Sequence, residues 1–553
     1  MSTPTPTPTT SPTAANAGAG ALEIYDTTLR DGSQGEGVNL SLVDKLALTE
    51  ALDWLGVAYI EGGWPGSNPK DEAYFIEVKK LTLTNAKIAA FGSTRRAKAA
   101  PADDDNLRKL VASGADVITI FGKTWDLHVR DALRITLEEN LALVGDSVAF
   151  LCQATGRPVF YDAEHFFDGY KANPAYALDT LSAAARAGAT RLVLCDTNGG
   201  SLPEEVTAAV QAVVRRLPSA VIGIHVHNDG GLAVANTLAA VAAGAVQVQG
   251  TINGVGERCG NVDLTSVIAN AEIKLKRRCL PEGHLQRLTE ISRLVWERIN
   301  LHAPVNQPYV GRAAFAHKGG VHVSAVQRNA LTYEHIAPEQ VGNTRRILIS
   351  ELAGRSNVQA KFANRYPSIS DPQLIAKVLN EVQDKENQGF SYEAADASFD
   401  LLVRRHVGAY EPTFVLHHYR IHGLGTPGDE RDLVEATVKL TVKGQLRLCV
   451  AEGHGPVDAL NQALIAALLP SKPTLKGLHL SDYKVRVVNS GDGTAAKVRV
   501  LIEHQFQGRS IGTVGVSENV IEASWNALVE AIEYALSEAE PTGAPGLAGR
   551  AKG

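Results

Sequence analysis

Between residues 21 and 284, short apolar segments alternate with longer segments whose apolar residues recur at helical spacing. The short segments predict eight strands, at 21–26, 57–63, 87–92, 116–122, 158–164, 191–196, 220–227 and 245–251. Segments between them, such as SLVDKLALTEALDWLG, end in glycine as helices often do. Eight strand–helix units over about 250 residues are typical of a (β/α)8 TIM barrel, an α/β fold. An open, doubly wound sheet is the alternative, but no GxGxxG sequence follows the first strand.

The pattern changes after the predicted barrel domain of residues 21–284. Residues 285–400 show mainly helical and irregular patterns, and we expect helical linker subdomains there that contribute to the functional site. The segments 435–468 and 495–532 then repeat one order of elements: strand, strand, a turn containing glycine, and helix. Because neither copy carries a catalytic arrangement, the two ββα repeats predict a C-terminal α+β regulatory and dimerisation domain over 408–540.

Composition and charge narrow the class of protein. A chain of 553 residues with net charge −6 is expected to form more than one domain and gives no reason to expect nucleic acid as a partner. No apolar run reaches the roughly 18–20 residues of a membrane span, so we expect no membrane partner. Five cysteines without CxxC spacing fit a reducing compartment, and the predicted location is cytoplasmic. The ends, 1–20 and 541–553, are rich in small residues and proline and are predicted to be disordered tails.

Two histidines one residue apart end the seventh predicted strand, in IHVHNDGG at 224–231. Since residues i and i+2 of a strand face the same side, His225 and His227 both point into the mouth of the predicted barrel and can reach one cation. The alternative is a pair of histidines that pack in a polar interior layer. Asp31 in YDTTLRDG and Asn261 in GERCGN follow other strands and could add oxygen ligands. Such a set suits Mg²⁺, Mn²⁺, Co²⁺ or Zn²⁺, and the sequence does not choose among them.

Other polar residues gather at the same ends of the predicted strands, where TIM barrels place their active sites. Arg30 would put a fixed positive charge where an oxyanion develops, or it simply pairs with Asp31 beside a glycine turn. The loop NGVGERCGN at 253–261 could bring backbone N–H groups close to a phosphate or a thioester, and a plain turn is the alternative. Outside the barrel, His322 is a candidate base because imidazole titrates near neutrality.

Several of these segments resemble a known family. DTTLRDG, HVHNDGGLAVAN, NGVGERCGN and GGVH together resemble the α-isopropylmalate and homocitrate synthase family of metal-dependent barrel enzymes. GGWPGSNPKD, IFGKTWDLHV and YDAEHFFDGY are similar in particular to the branch of this family whose acceptor is pyruvate. The resemblance covers roughly residues 21–540. It implies a Claisen condensation of acetyl-CoA with the 2-oxo acid, followed by thioester hydrolysis, and a product that leads towards isoleucine.

The resemblance also implies catalytic roles. A divalent metal would chelate the keto and carboxylate oxygens of pyruvate, and its ligands would be Asp31, His225, His227 and Asn261. Arg30 would stabilise the oxygen that becomes negative. His322, assisted by Tyr333 and with Glu164 close by, would remove the methyl proton of acetyl-CoA.

Binding roles follow from the same resemblance. The positions that match substrate-contacting residues are Arg30, Gln34, Glu164 and Thr197. The loop residues that would face acetyl-CoA are Asn253, Gly254, Gly256, Glu257 and Arg258. The C-terminal domain would bind isoleucine at the interface of a homodimer.

Two positions depart from the family pattern, and other functions stay open. Ser324 stands where relatives often have Asp, and Cys259 replaces the more usual Ala. We interpret Cys259 as a small neutral filler because its loop contains no local base. The alternatives are a 2-isopropylmalate synthase using 2-oxoisovalerate, a homocitrate synthase using 2-oxoglutarate, an acyl-CoA lyase with a catalytic loop cysteine, and a non-catalytic amino-acid sensor. The aromatic residues of FYDAEHFFDGY, beside Glu164, favour a small acceptor.

Overall fold

The computed structural model describes residues 21–348, 355–424, 433–488 and 496–539 of the chain. The chain divides into two compact units. The first contains the chain up to Phe315 and the segment Ala337–Thr344, and the second contains Ala316–Ile336 and the chain from Arg345 onward. The linker region predicted at 285–400 is therefore divided between the two units. The predicted disordered tails, 1–20 and 541–553, lie outside the described residues.

The first unit contains a closed barrel of eight parallel strands, hydrogen-bonded in chain order. The strands are β1 (Glu23–Asp26), β2 (Tyr59–Gly63), β3 (Lys87–Ser93), β4 (Val117–Lys123), β5 (Val159–Glu164), β6 (Arg191–Asp196), β7 (Ile222–Val226) and β8 (Gln247–Gly250). β1 also pairs with β8, with Glu23 opposite Gln247, and this pairing closes the sheet. The TIM barrel predicted from the sequence is confirmed, and each strand overlaps its predicted segment.

Helices connect the strands of the barrel. They are α1 (Leu42–Leu55), α2 (Pro69–Glu77), α3 (Asp105–Ser113), α4 (Asp126–His128), α5 (Leu137–Thr155), α6 (Phe166–Ala172), α7 (Pro174–Arg186), α8 (Pro203–Arg216), α9 (Ala233–Ala243) and α10 (Leu264–Ile273), followed by α11 (Leu288–Arg298). Their ends follow local sequence. α1 begins at Ser41, whose side chain accepts a hydrogen bond from the Asp44 N–H in a capping box, and it ends at Gly56, which is left-handed.

Aromatic rings fill the barrel interior near the amino ends of its strands. Tyr25, Tyr59 and Phe160 are buried in one cluster, and the rings of Tyr59 and Phe160 meet edge to face with centres 5.2 Å apart. Polar residues replace apolar ones towards the carboxyl ends of the same strands. The apolar packing therefore leaves the carboxyl end of the barrel for chemistry.

The second unit begins with a small parallel sheet and four helices. β9 (Ala316–His317) pairs with β10 (Arg346–Ile347), and α12 (Gly320–Arg328) lies between them in the chain. The next helices are α13 (Arg355–Phe362), α14 (Pro372–Asn387) and α15 (Asp396–His406). Apolar residues of these three helices share one buried cluster, which includes Val358, Val378 and Phe399.

The rest of the second unit holds two copies of a three-stranded antiparallel sheet followed by a helix. The first copy is β11 (Phe414–Leu424), β12 (Leu433–Val442), β13 (Gln445–Gly453) and α16 (Pro456–Leu468), and the second is β14 (His479–Val487), β15 (Val498–Phe506), β16 (Arg509–Ser517) and α17 (Val520–Ala539). The predicted internal repeat is confirmed, but β11 and β14 make each copy one strand longer than the predicted ββα unit. Among the described residues, no helix combines the length and apolar character needed to span a membrane.

Candidate active site

Asp31, His225 and His227 form the centre of the site. Within the described part of the chain, they are the one set of three or more His, Cys, Asp or Glu side chains whose ligand atoms all lie within 4.8 Å of one another. β7 carries His225, and Asp31 lies in the loop after β1. The Nε2 atom of His225 lies 3.2 Å from Asp31 Oδ2 and 3.4 Å from His227 Nε2. The prediction that the two histidines share a face is confirmed.

Asn261 lies in the loop after β8 and pairs with His227 through an isolated antiparallel bridge. Its Nδ2 donates to the Val255 carbonyl oxygen at 3.2 Å, whereas its Oδ1 is buried and has no hydrogen-bond partner among the described residues. A Cβ atom at Gly256 would lie 2.2 Å from Asn261 Nδ2, so this approach requires glycine. The glycine-rich loop therefore places the amide of Asn261 beside His227, with a free oxygen that could serve as a ligand.

A chain of hydrogen bonds orients His225 through Nδ1, the ring nitrogen opposite the one that faces Asp31. Its Nδ1 lies 3.1 Å from Gln249 Oε1, and Gln249 Nε2 donates to Asp162 Oδ1 at 3.1 Å. If the Nδ1–H of His225 donates to Gln249, the lone pair of Nε2 is directed towards Asp31 and His227. Metal-binding histidines are commonly held in this way by a partner on the second ring nitrogen.

Arg30 is held from two sides. Its Nε donates to Glu61 Oε1 at 2.6 Å, and its guanidinium carbon lies 3.7 Å from the centre of the Phe91 ring. Glu61, in β2, is fully buried and also accepts a hydrogen bond from the Tyr25 hydroxyl. Another contact joins Arg30 Nη1 to Asp31 Oδ1 at 3.4 Å. The guanidinium is therefore fixed next to the group of possible ligands.

Burial and neighbouring charges set the protonation of these groups. Burial alone raises the pKa of Asp31, but Arg30 and His225 outweigh it and hold that pKa below its ordinary value. Burial and the neighbouring His225 lower the pKa of His227 to about 4. Burial and Glu61 raise the pKa of Asp162 to about 7. Burial lowers the pKa of His225, but its hydrogen bond and charge interaction with Asp31 outweigh burial and raise that pKa above its ordinary value. Asp31 is thus charged and His227 neutral at pH 7, which are the forms that bind metals, whereas a metal must displace a proton from His225.

One cavity of about 250 Å³ opens beside this group. It is lined by nine of the residues singled out in the sequence: Arg30, Asp31, Gln34, Glu164, Thr197, His225, His227, Glu257 and Arg258. The aromatic residues in its wall are Trp64, Phe91 and Phe121. The expectation that aromatics of FYDAEHFFDGY would narrow the site is wrong, because Phe160 packs in the barrel core and Phe166 packs against its own neighbours.

Glu164 and Thr197 lie at the rim of the cavity, at the ends of adjacent strands. Glu164 ends β5 and forms an ion pair with Lys123, which ends β4. Thr197 follows β6, and its hydroxyl oxygen accepts a hydrogen bond from the His165 N–H at 2.9 Å. These contacts tie the ends of β4, β5 and β6 together around the cavity.

Comparison with known proteins identifies the family. Residues 21–295 match the HMGL-like family, residues 309–389 the homocitrate synthase post-HMGL domain-like family, and residues 393–536 the LeuA allosteric (dimerisation) domain. An (R)-citramalate synthase of Geobacter sulfurreducens is 51% identical to the chain over 521 residues, which are 94% of this chain and 98% of the relative. The chain belongs to the (R)-citramalate synthase family. A second member, from Aquifex aeolicus, is 51% identical over 522 residues, with 94% and 98% coverage. A 2-isopropylmalate synthase of Escherichia coli O81 is 30% identical over 545 residues, with 94% and 95% coverage.

In this member of the citramalate synthase family, the loop after β8 is tied to its neighbours. Arg258 Nε lies 2.8 Å from Asp229 Oδ1, and Arg258 Nη2 donates to the Thr197 carbonyl oxygen at 2.7 Å. The side chain of Asn253 is engaged elsewhere, since its Oδ1 accepts hydrogen bonds from Ser292 and Gln307. The predicted contacts of residues 253–258 with acetyl-CoA stay predictions, and the Asn253 side chain is not free to make them. Cys259 is exposed.

His322 and Tyr333 belong to the second unit. Both are exposed, and their rings stack with centres 4.2 Å apart. Nearby in the chain, His317 Nε2 lies 2.9 Å from Glu334 Oε1. Arg345 donates to the same carboxylate, from Nε to Oε1 and from Nη2 to Oε2, both at 2.6 Å. The structure thus pairs the two predicted residues with each other, while their role as base and assistant in the citramalate synthase reaction stays a prediction.

Besides the apolar lining residues, sequence reasoning missed three buried polar residues of the site: Glu61, Asp162 and Gln249. Each lies within a barrel strand and is buried. For Glu61 in YIEGG and Asp162 in VFYDAE, a charged residue inside an apolar strand is the signal that could have found them. Gln249 in QVQG is one of two glutamines in a short strand and gives a weaker signal. The same signal marks any polar interior layer of a barrel, so sequence alone could not assign these residues to Arg30 or His225.

Proposed function

We propose that the protein condenses acetyl-CoA with pyruvate and hydrolyses the resulting thioester, which releases CoA and (R)-citramalate in a metal-dependent reaction. The observation that supports this most is the convergence of Arg30, Asp31, His225 and His227 on one cavity. The choice of pyruvate is supported by 51% identity to an (R)-citramalate synthase, against 30% to a 2-isopropylmalate synthase.

The donor set fits a divalent metal. Two imidazoles, one carboxylate and one amide oxygen that has no other partner among the described residues suit Mg²⁺, Mn²⁺, Co²⁺ or Zn²⁺. We therefore propose Asp31, His225, His227 and Asn261 as ligands. When bound, the metal would polarise the ketone of the 2-oxo acid and fix its orientation.

Arg30 would stabilise the oxygen that becomes negative as the new carbon–carbon bond forms. Its Nε is engaged by Glu61, which leaves donors at the other end of the guanidinium for the substrate. Because Glu61 and Phe91 hold the guanidinium in place, little reorganisation is needed during the reaction.

The other roles are proposed from cavity position and family resemblance. Gln34, Glu164 and Thr197 line the cavity and would contact the acceptor. Residues 254–258 would face acetyl-CoA, and of these Glu257 and Arg258 also line the cavity. His322, assisted by Tyr333, would remove the methyl proton of acetyl-CoA. The acetyl-CoA contacts and the roles of His322 and Tyr333 are supported by the resemblance to the family.

The test is release of free thiol from acetyl-CoA with pyruvate, 2-oxoisovalerate or 2-oxoglutarate, in the presence of Mg²⁺ or Mn²⁺. We expect the highest kcat/KM with pyruvate. A preference for 2-oxoisovalerate would make the protein a 2-isopropylmalate synthase, and no thiol release with any acid would contradict a synthase function. Cys259→Ala is expected to keep full activity, whereas a lyase with a catalytic loop cysteine would lose it.

We also propose that the C-terminal domain binds isoleucine at a homodimer interface. The match of residues 393–536 to the LeuA allosteric (dimerisation) domain supports this regulatory role. Thiol release measured with isoleucine, leucine or valine is expected to fall with isoleucine alone, and light scattering is expected to give the mass of a dimer. Unchanged activity with isoleucine, or a monomer, would contradict the proposal.

The cytoplasmic location stays a prediction.

A further inference from the structure

His322 and Tyr333 lie on a segment whose two ends are joined by a buried carboxylate. Glu334 is 5% exposed, and its Oε1 lies 2.9 Å from Nε2 of His317, seventeen positions earlier in the chain. The same carboxylate accepts two hydrogen bonds from Arg345, both at 2.6 Å. We call these three residues, His317, Glu334 and Arg345, the Glu334 network. It closes the segment that carries both predicted residues into a loop.

The Glu334 network lies where the chain enters and leaves the second unit. That unit contains Ala316–Ile336 and then, after a stretch that belongs to the first unit, the chain from Arg345 onward. His317 and Glu334 therefore lie just inside the two ends of the inserted segment, and Arg345 is the first residue after the return. The network thus ties the ends of the segment to each other and to the chain that follows.

Charge and hydrogen bonding explain why a carboxylate can be buried at this point. The hydrogen bonds from Arg345 outweigh burial and hold the pKa of Glu334 below its ordinary value, so the group is ionised at pH 7. Because an ionised carboxylate only accepts hydrogen bonds, Nε2 of His317 must carry the proton that it donates. Two donors from different parts of the chain therefore hold one fixed negative charge.

The loop closed by this network presents its two aromatic side chains on a supported backbone. Val323, the residue after His322 on α12, is 1% exposed, whereas His322 itself is exposed. The Glu334 N–H donates to the Ala330 carbonyl oxygen at 2.9 Å, which holds Tyr333 in the turn just before the buried carboxylate. The rings of His322 and Tyr333 stack with centres 4.2 Å apart. One ring of the stack thus follows β9 and His317, and the other precedes Glu334 directly.

We infer that Glu334, held by His317 and Arg345, is a positioning residue that fixes the imidazole of His322 where it can remove the methyl proton of acetyl-CoA. It acts through the backbone, since a shift between the two ends of the loop would move His322 relative to Tyr333. A misplacement of about 1 Å in a reacting group can cost roughly a hundredfold in rate. The inference rests on the proposed function, because it assumes that His322 is the base.

The test is a double-mutant cycle of Glu334→Gln and His322→Ala, read by kcat for thiol release from acetyl-CoA with pyruvate. Glu334→Gln keeps the size of the side chain and removes its charge. We expect it to lower kcat about tenfold to a hundredfold when His322 is present. In His322→Ala, measured at high enzyme concentration, the same change should cost less than about twofold, because the group that the network positions is absent. A purely structural role would lower kcat by the same factor in both backgrounds.

Variants of the donor test the hydrogen bond itself. His317→Leu removes the donor, whereas His317→Gln supplies an amide that can replace it, so we expect His317→Gln to retain the higher kcat. Glu339→Gln is the matched control, because Glu339 is an exposed glutamate close by in the chain, and it should leave kcat unchanged. Metal content should be the same in every variant, since the proposed ligands belong to the first unit.

The outcomes separate this inference from the proposed function. Thermal unfolding shows whether each variant is folded, and Glu334→Asp is prepared alongside in case Glu334→Gln is not. If folded Glu334 variants keep the original kcat, or lose the same factor with and without His322, the inference is wrong while the proposed function stands. If His322→Ala itself keeps the original kcat, the assignment of the base fails and the inference fails with it. If the unmodified protein releases no thiol with any 2-oxo acid, the synthase function fails.

Discussion

At the residue scale, His225 and His227 differ in what holds the ring nitrogen that faces away from Asp31. Nδ1 of His225 is bonded to Gln249, whereas Nδ1 of His227 is buried without a hydrogen-bond partner among the described residues. The protein therefore orients His225 through its own contacts. His227 depends on its backbone position just after β7 and on its pairing with Asn261.

Replacing either histidine should remove metal and activity together. We expect His225→Ala and His227→Ala to lose bound metal and at least about a hundredfold of kcat, because three remaining donors bind more weakly and the ketone is no longer oriented. Metal content by mass spectrometry and thiol release give the two readouts. His454→Ala, an exposed histidine of the second unit, serves as the control. A variant that keeps both metal and turnover would show that the pair is structural.

Gln249 should matter for metal affinity although it is not a proposed ligand. Gln249→Leu removes the acceptor for His225 Nδ1 and leaves Asp162 without its donor. We expect metal affinity to fall roughly tenfold to a hundredfold, as for other outer partners of metal-binding histidines. Equilibrium dialysis with Mn²⁺ measures this directly. Gln286→Leu, at an exposed position, should leave the affinity unchanged, and equal affinities in the two variants would contradict the role.

The sequence predicted the site residues whose positions follow from strand periodicity and from the barrel pattern. Period-2 spacing placed His225 and His227 on one face, and the barrel pattern placed Asp31 at the same rim. It could not reach Glu61, because pairing Glu61 with Arg30 requires knowing that β2 brings its interior face to the loop after β1. It also assigned the wrong aromatic residues to the cavity, because a residue's neighbours in sequence are on other faces of the strand or in the following helix.

At the element scale, the loop after β8 depends on glycine where it passes Asn261. Gly256→Ala would bring a methyl group within 2.2 Å of the Asn261 amide nitrogen, so the loop or the amide must move. We expect weaker Mn²⁺ binding and lower thiol release, with the barrel still folded by circular dichroism. Gly200→Ala is the matched control in the loop after β6, since a methyl group added there would have no atom within 4 Å. Equal Mn²⁺ affinity in both variants would argue that the loop does not place a ligand.

β15 carries a buried histidine on the face that also bears Val500, Ile502 and Phe506. His504 is 1% exposed, and neither ring nitrogen has a hydrogen-bond partner among the described residues. Burial lowers the pKa of His504 to about 4 from an ordinary value of 6.5. The imidazole therefore stays neutral in the folded protein while the unfolded chain takes up a proton below pH 6.5.

This lowered pKa predicts a pH-dependent stability. Between about pH 6.5 and 4 the unfolded state binds more protons, so stability is present above this window and falls as pH falls through it, by up to about 3 kcal/mol. We expect hydrogen exchange of a β15 peptide, corrected for intrinsic rates, to lose protection over this range. His504→Leu should show a shallower loss, and identical pH profiles for the two proteins would contradict the assignment.

The strands β11 and β14 show why part of the C-terminal domain escaped prediction. β11 shifts register between Leu416 and His418, and β14 does so between Leu480 and Asp482. Such a bulge moves every later side chain to the opposite face, so the alternation of apolar and polar residues breaks in the middle of the strand. The regular strands β12, β13, β15 and β16 keep their alternation and were found.

At the scale of the whole molecule, the helices and the β repeats of the second unit do not form separate domains. The buried cluster that contains Val358 of α13, Val378 of α14 and Phe399 of α15 also contains Val514 of β16. Ser398 Oγ accepts a hydrogen bond from the Val514 N–H at 3.0 Å. The helices therefore share a core with the second β repeat, which the predicted boundary between residues 400 and 408 would cut.

Deleting the residues after 407 should therefore also unfold helices that remain in the shortened protein. We expect limited proteolysis of this shortened protein to cut within residues 355–406, because Val514 no longer covers the apolar side of these helices. The barrel should resist proteolysis and keep its metal, since its strands close on themselves. Full protection of residues 355–406 in the shortened protein would show that the helices are stable without the second repeat.

The tryptophan among the residues that line the active-site cavity, Trp64, gives the protein a built-in optical reporter. The protein has five tryptophans, and all five lie among the described residues. Of these, Trp64 is the one that lines the cavity. Its indole emission should change when an acceptor acid displaces water from the ring, while the other four tryptophans contribute a constant background. Subtracting the spectrum of Trp64→Phe isolates that change. Acceptor affinity could then be measured by fluorescence without acetyl-CoA, and so without turnover.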